Sequence, residues 1–167
     1  MYKDVDARNK SGAGRMERNV AALSFMDMAL DEARAAADAG EVPVGCVIVR
    51  DSKVVARAGN RTLRDRDPTA HAELLAIRQA ASALGSERLV ECDLHVTLEP
   101  CAMCAAAMSF ARIRRLYFGA ADPKGGAVES GVRFFASPTC HHRPEVYGGI
   151  GERDAAMLLK AFFKARR

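Results

Sequence analysis

Two short segments carry side chains whose types and spacing suit metal binding or proton transfer. DPTAHAE (residues 67–73) has a histidine with a glutamate two places later, and EPCAMC (residues 99–104) has two cysteines three apart. Cys101 and Cys104 follow Pro100, a favoured first-turn residue, so both side chains lie on one side of a predicted helix start, where the helix dipole favours the thiolate. Such a pair either shares a metal ion or acts as a thioredoxin-like redox pair, and the motif alone leaves both open.

The position of His71 favours a metal site over a redox pair. This residue also follows a turn and begins a predicted helix, and two such helices packed side by side on one sheet face bring their N-termini together. One imidazole and two thiolates form a ligand set that tetrahedral zinc accepts, and three protein ligands leave a position for water, as in catalytic sites. Glu73 is near enough to take a proton from that water, which suits hydrolysis, including attack on an amidine-like carbon with loss of ammonia.

The elements that position these residues follow from hydrophobic spacing and turn residues. Helices are predicted over residues 23–40, 71–85, 100–111 and 152–167, and strands over 42–50, 54–59, 93–99, 114–120 and near 145–148. This order predicts an α/β fold, a three-layer α/β/α sandwich with a mixed central sheet of about five strands.

The length of 167 residues fits one domain, expected over residues 20–167. The polar residues 1–19 are expected to form a disordered tail. They lack the apolar centre of a signal peptide, and no apolar run approaches the ~18 residues of a membrane helix, so a cytoplasmic protein is expected. Five cysteines in such a protein indicate thiols or metal ligands rather than a disulfide framework. Cys46, inside an apolar run, is expected in the core.

The formal net charge of +4 is too small to identify a partner. Each basic cluster is most simply a solvated face, but clusters on one side of the fold would form a footprint for a nucleic-acid backbone. The clusters are Arg61, Arg64 and Arg66; Arg112, Arg114 and Arg115; and Lys160, Lys164, Arg166 and Arg167.

HAE with PCAMC resembles the H-x-E and P-C-x-x-C signature of zinc-dependent nucleobase deaminases. EVPVGCVIV, GNRTLRDRDPTAHAELLAIRQA, LHVTLEPCAMCAAAMSFARIRRLYFGA and DPKGGA resemble the bacterial tRNA-specific adenosine deaminases, which act on the wobble base of the anticodon. The likeness covers about residues 24–167. It implies a cytidine deaminase-like fold, one zinc per subunit, a tRNA anticodon loop as partner, a homodimer, and hydrolytic deamination of adenosine-34 to inosine.

The resemblance also implies residue roles. His71, Cys101 and Cys104 would hold zinc, while Glu73 would activate water, protonate the ring nitrogen beside the attacked carbon and pass a proton to the leaving ammonia. The implied substrate-binding residues are Asn60 (base or ribose), the Ala72 N–H (base edge), Val42, Pro43 and Val44 (pocket wall), Pro100 (helix entrance), and Asp122 and Lys124 (flanking nucleotides).

The sequence departs from the family pattern at two places. Ala121 stands where an arginine is common, which removes one possible phosphate contact. His141 and His142 replace an asparagine-histidine pair, and His142 is expected to touch RNA.

Three other hypotheses remain open. A deaminase of the same fold would act on free guanine, cytosine or a nucleoside such as cytidine. A structural zinc module would use Cys140, His141 or His142 as a fourth ligand. A thiol oxidoreductase would use the two cysteines without a metal.

Overall fold

The computed structural model describes residues 11–167, where helices and strands follow the predicted order. The elements are α1 (Ser11–Asp38), β1 (Gly45–Arg50), β2 (Lys53–Gly59), α2 (Ala72–Leu84), β3 (Cys92–Leu98), α3 (Ala102–Ala111), β4 (Arg115–Ala120), β5 (Glu145–Tyr147) and α4 (Glu152–Lys164), with a 3-10 turn at Phe134–Ala136. The sheet order is β2-β1-β3-β4-β5. Strand β1 is antiparallel to β2 and β3, whereas β3, β4 and β5 are parallel, which confirms the mixed five-stranded sheet.

Helices cover both faces of this sheet. Helices α2 and α3 cover one face, and α1 and α4 cover the other. Alternate residues of β1 enter different cores: Cys46 and Ile48 pack toward α2 and α3, while Val47 and Val49 pack toward α1 and α4. Because both faces are covered, β1 is apolar nearly throughout. The three-layer prediction and the buried position of Cys46 are therefore confirmed.

Helix α1 begins earlier than the sequence predicts. Residues 11–19, assigned to a disordered tail, form its first turns, and the rest of that tail lies outside the described residues. The side chains from Arg15 to Arg18 are exposed, and burial starts at Ala22. This part of the helix has no apolar stripe to detect, and its arginine, methionine and glutamate are good helix formers. No helix within residues 11–167 is both long and apolar enough to cross a membrane.

A pair of glycines lets α1 lie directly on the sheet. Gly45 and Gly59 are opposite each other in the β1–β2 ladder. A Cβ added at Gly45 would come within 2.6 Å of the Ala33 nitrogen, and one at Gly59 within 2.8 Å of the Glu32 carbonyl oxygen. Only glycine permits such an approach of two backbones, so this pair fixes α1 against the hairpin that leads into the site.

Candidate active site

The N-termini of α2 and α3 bring the predicted ligands together. His71 is the N-cap of α2 and Cys101 the N-cap of α3, both with extended backbone, and neither side chain caps its helix. Because α3 starts at Ala102 rather than Pro100, Cys104 lies in its first turn and points back toward Cys101. These side chains are therefore free for another partner.

The three ligand atoms have the spacing of a tetrahedral metal site. His71 Nδ1 lies 3.6 Å from Cys101 Sγ and 3.5 Å from Cys104 Sγ. Zinc with its usual bond lengths separates nitrogen and sulfur ligands by roughly 3.6 Å. A single ring nitrogen makes one good hydrogen bond, yet here it lies equally close to two sulfurs. Among residues 11–167 this is the group of possible ligands close enough to hold a metal, and its donor set fits zinc.

The electrostatics of the cluster prepare it for a cation. Hydrogen bonding from the Cys104 thiol, and then from His71, lowers the pKa of Cys101 to about 4. The thiolate so formed and burial raise the pKa of Cys104, while the hydrogen bond to Cys101 raises the pKa of His71. Without metal the cluster therefore holds one thiolate and one thiol, and metal binding would release the proton of Cys104.

Glu73 lies in the first turn of α2 with only 4% of its surface exposed. Burial raises the pKa of its carboxyl to about 7, although nearby His71 works in the opposite direction. A carboxyl with a pKa near 7 both accepts and donates protons at neutral pH, as proton transfer during hydrolysis requires.

Asn60 and Ala72 are in contact with each other. The Ala72 N–H donates to Asn60 Oδ1 at 2.8 Å. Because a backbone N–H needs an acceptor, this bond assigns the oxygen of the Asn60 amide to α2 and leaves its Nδ2 donor for another partner. The Ala72 N–H therefore orients Asn60, and its expected contact with a base edge stays a prediction.

The segment Val42–Val44 connects this site to a groove. Pro43 and Val44 are buried, and the Val44 carbonyl accepts the Asn60 N–H at 3.1 Å. Val42 is half-buried and faces a groove of about 970 Å³. The groove is lined by Val42, Leu98, Ala121, Asp122, Lys124, Leu159, Lys160, Phe163, Lys164, Arg166 and Arg167. Its lining excludes the metal-binding cluster but joins three predicted substrate-binding residues to the C-terminal helix.

Two buried carboxylates near the site were not recognised from the sequence. Glu41 is 1% exposed and accepts the N–H groups of Leu63 and Arg64 as well as the Thr62 hydroxyl. Burial alone would raise the pKa of Glu41, but these donors and the Arg64 guanidinium outweigh it and lower the pKa. Glu99, which is 2% exposed between β3 and α3, is likewise a buried carboxylate. The available signal was an acid inside each apolar motif, EVPVG and TLEPC.

His142 and Cys140 lie near the far end of α3. The His142 ring contacts the Ile113 carbonyl oxygen through Nε2, and Ser109 Oγ donates to the His142 carbonyl at 2.8 Å. Cys140 lies 3.5 Å from the same Ser109 hydroxyl. These residues are therefore not brought to the metal-binding cluster, and Cys140 and His142 are not placed to supply a fourth ligand. The expected contact of His142 with RNA stays a prediction.

The second basic cluster lies at the opposite end of β3 from the metal-binding residues. Arg114 and Arg115 pair with Asp93 at the beginning of β3, whereas the metal-binding residues follow its end. Arg61 pairs with Asp65. The C-terminal cluster Lys160, Lys164, Arg166 and Arg167 lines the groove. The groove thus joins this last cluster to Lys124, and a contribution of the first cluster to the footprint stays a prediction.

Comparisons with known proteins agree with the site. The family model of the cytidine and deoxycytidylate deaminase zinc-binding region matches residues 20–120. A tRNA-specific adenosine deaminase of Agrobacterium fabrum is 63% identical over 86% of this chain and 94% of its own length. A solved structure from a study of A-to-I editing by tRNA:A34 deaminases is 64% identical, covers 81% of this chain and 99% of that chain, and has a TM-score of 0.81. A guanine deaminase structure from Bacillus subtilis is 31% identical over 68% of this chain and 83% of its own, with a TM-score of 0.58. The ligand cluster and the buried glutamate agree with what these relatives indicate. The chain belongs to the tRNA-specific adenosine deaminases of the zinc-binding cytidine and deoxycytidylate deaminase family.

Proposed function

We propose that this protein hydrolyses adenosine to inosine at the wobble position, adenosine-34, of a tRNA anticodon. The observation that carries the proposal is the tetrahedral spacing of His71 Nδ1 from the Cys101 and Cys104 sulfurs beside the buried Glu73. Those residues supply the chemistry of deamination, and the family supplies the substrate. We propose one zinc ion per subunit because residues 11–167 bring together one such cluster.

In the proposed mechanism, Glu73 moves the protons. A bound metal supplies a water molecule that ionises near neutral pH. Glu73 takes the proton from the attacking water and delivers it to the ring nitrogen beside carbon 6. Glu73 then takes the second proton from the new hydroxyl on carbon 6 and passes it to the exocyclic nitrogen, which departs as ammonia while the carbonyl of inosine forms. Its pKa of about 7 lets the same side chain act first as base and then as acid.

Asn60 is proposed to orient the nucleoside. Its Oδ1 is held by the Ala72 N–H, so its Nδ2 donates to an acceptor atom of the base or ribose. Pro43, Val44 and Pro100 are buried around the site and Val42 is half-buried, so they form an apolar wall that keeps other water from the reacting carbon.

The groove is proposed to bind the nucleotides that flank adenosine-34. Asp122 and Lys124 lie on its rim, and the basic end of α4 faces it. Phe163 is 49% exposed and lines the groove, whereas Phe162 is buried, so of the two only Phe163 is placed to contact a nucleotide. A single-stranded anticodon loop suits this site because its bases leave their stack at the smallest energetic cost.

We further propose a homodimer that acts in the cytoplasm, where tRNA is found. Phe110 on α3 and Val132 in the loop after β4 are 72% and 71% exposed. The 3-10 turn that follows Val132 packs against α3. Large apolar side chains exposed in this way are typical of surfaces that bind a partner. A second copy covering them would lie close to the loop that carries Asp122 and Lys124.

The alternative is a free-nucleobase deaminase, favoured by the fold shared with a guanine deaminase. The two functions are separated by incubating the zinc-loaded protein with an anticodon stem-loop containing adenosine-34, and separately with guanine, cytosine and cytidine. We expect inosine only in the stem-loop, and loss of ammonia only from a free base or nucleoside would contradict the proposal. Glu73→Gln is the control: it should retain zinc and lower kcat by about 10²- to 10⁴-fold.

A further inference from the structure

Glu99 is a buried acidic side chain between the metal-binding turn and the loop of residues 121–131, here named the rim loop. It follows β3 and precedes Cys101 by two residues. Its carboxylate accepts the backbone N–H groups of Asp122 at 3.3 Å, Glu129 at 3.0 Å and Ser130 at 3.0 Å. These donors lie near both ends of the rim loop, so one side chain holds its beginning and its end together.

The rim loop contains no helix or strand, and apart from Glu99 it is held by local hydrogen bonds and by its buried centre. The Ala127 N–H donates to the Pro100 carbonyl at 2.8 Å and the Gly126 N–H to the Asp122 carbonyl at 2.9 Å. The Asp122 carboxylate also accepts the N–H groups of Lys124 and Gly125. A Cβ on Gly126 would overlap the Glu99 carboxylate, so the loop wraps closely around that group. Hydrogen bonds to a charged acceptor are the strong ones, and here they replace regular secondary structure.

We propose that Glu99 is a positioning residue that sets the affinity for RNA by fixing Asp122 and Lys124 on the rim of the groove. Because its oxygens face the rim loop, it takes no part in proton transfer at Glu73. The proposal rests on the proposed function of the groove. Its kinetic signature is a raised KM with kcat nearly unchanged, whereas loss of a proton-transfer group lowers kcat.

The test compares Glu99→Gln and Glu99→Ala with a matched control in the zinc-loaded protein. An amide keeps only one oxygen, which is best used by the paired donors of Glu129 and Ser130, so its NH₂ group faces the Asp122 N–H. Glu99→Gln should therefore speed hydrogen exchange at Asp122 most, and Glu99→Ala should speed it at all three amides. The control, Glu129→Gln, makes the same chemical change on an exposed side chain and leaves the backbone donor in place.

With an anticodon stem-loop, Glu99→Gln should raise KM about tenfold, as expected for the loss of one charge-assisted bond, with kcat within about threefold of the original. Glu129→Gln should leave KM unchanged. Folded, zinc-loaded Glu99 variants with an unchanged KM would overturn the proposal. If the Glu99 variants do not fold, hydrogen exchange is measured in the unsubstituted protein. The amides of Asp122, Glu129 and Ser130 should then be protected, and rapid exchange at these amides would also overturn the proposal. The exchange measurement is independent of turnover, so an inactive protein would count against the proposed function and not against this inference.

Discussion

At the scale of single residues, the orientation of one amide decides how the substrate is held. The Ala72 N–H takes the oxygen of Asn60 and leaves its nitrogen as a donor toward the site. The nucleoside must therefore offer an acceptor at that point. The Ala72 N–H thus prepares its neighbour Asn60 to bind the substrate.

Asn60→Asp tests this assignment. The aspartate keeps an oxygen for the Ala72 N–H but has no donor for substrate, so fold and zinc content should be unchanged. We expect kcat/KM on the stem-loop to fall by about 10- to 100-fold, the usual effect of losing a hydrogen bond to substrate. Asn60→Ala also removes the acceptor and should lower Tm in addition. An Asn60→Asp enzyme with full activity would contradict the assignment.

At the scale of elements, the order of helices and strands along the chain and the starts of α2, α3 and α4 were predictable from the sequence to within two residues, but the start of α1 and the loop geometry were not. Helix α2 lies between His71 and Gly85, as the turn before His71 and the glycine at its end predict. The metal site could be inferred because two strand–helix junctions had to meet at one sheet edge. The environment of Glu41 could not be inferred from the sequence, because its partners are mainly backbone N–H groups, which almost every residue possesses. The placement of His142 depended likewise on how the chain returns past α3.

Glu41 anchors the segment between β2 and α2, which carries Asn60. Glu41→Gln leaves an amide facing converging donors and should lower the free energy of unfolding by about 1–3 kcal/mol at pH 7, measured by urea denaturation. Thr62→Val, which removes one donor, should have a smaller effect.

The pH dependence gives a second measure of this anchor. The pKa of Glu41 is lowered in the folded state, so its stabilisation is present above its ordinary pKa of 4.5 and is lost as pH falls through the folded value. The difference in free energy of unfolding between the original protein and Glu41→Gln should therefore become smaller as the pH falls. A constant difference would indicate that the charge of Glu41 is not involved.

At the scale of the whole molecule, His95 sets the response to acid. It is 2% exposed on β3, stacked on Tyr117 at 4.6 Å and in contact with Phe25 of α1. Burial lowers the pKa of its imidazole to about 4, while Asp93 acts weakly in the opposite direction. Between pH 6.5 and 4 the unfolded chain therefore binds a proton that the folded one does not, and stability falls as the pH drops.

His95→Phe should remove this response while keeping an aromatic ring between its two neighbours. Relative to the original protein, the stability of the variant should increase as pH falls from 7 to 4, by about 3 kcal/mol. Urea denaturation across that range measures the change. Parallel pH profiles for the two proteins would show that His95 titrates normally.

The uneven charge distribution predicts how RNA binding depends on salt. The C-terminal cluster faces the groove, whereas Arg114 and Arg115 are paired with Asp93. Lys160→Gln with Lys164→Gln should reduce the slope of log K against log salt by roughly 0.7–0.9 per removed charge, measured with the anticodon stem-loop. Arg112→Gln, outside the groove, should leave the slope unchanged.

The Gly45–Gly59 pair has a consequence for where deformation occurs during catalysis. The backbone of α1 packs directly on β1 and β2 with no side chain between them, so this hairpin has no room to move. Asn60 directly follows Gly59, so the side chain proposed to orient the nucleoside has a stiff support and cannot reach out to a stacked base. The bending must come from the nucleic acid, so flexible loops should react faster than the same nucleotide held in a helix.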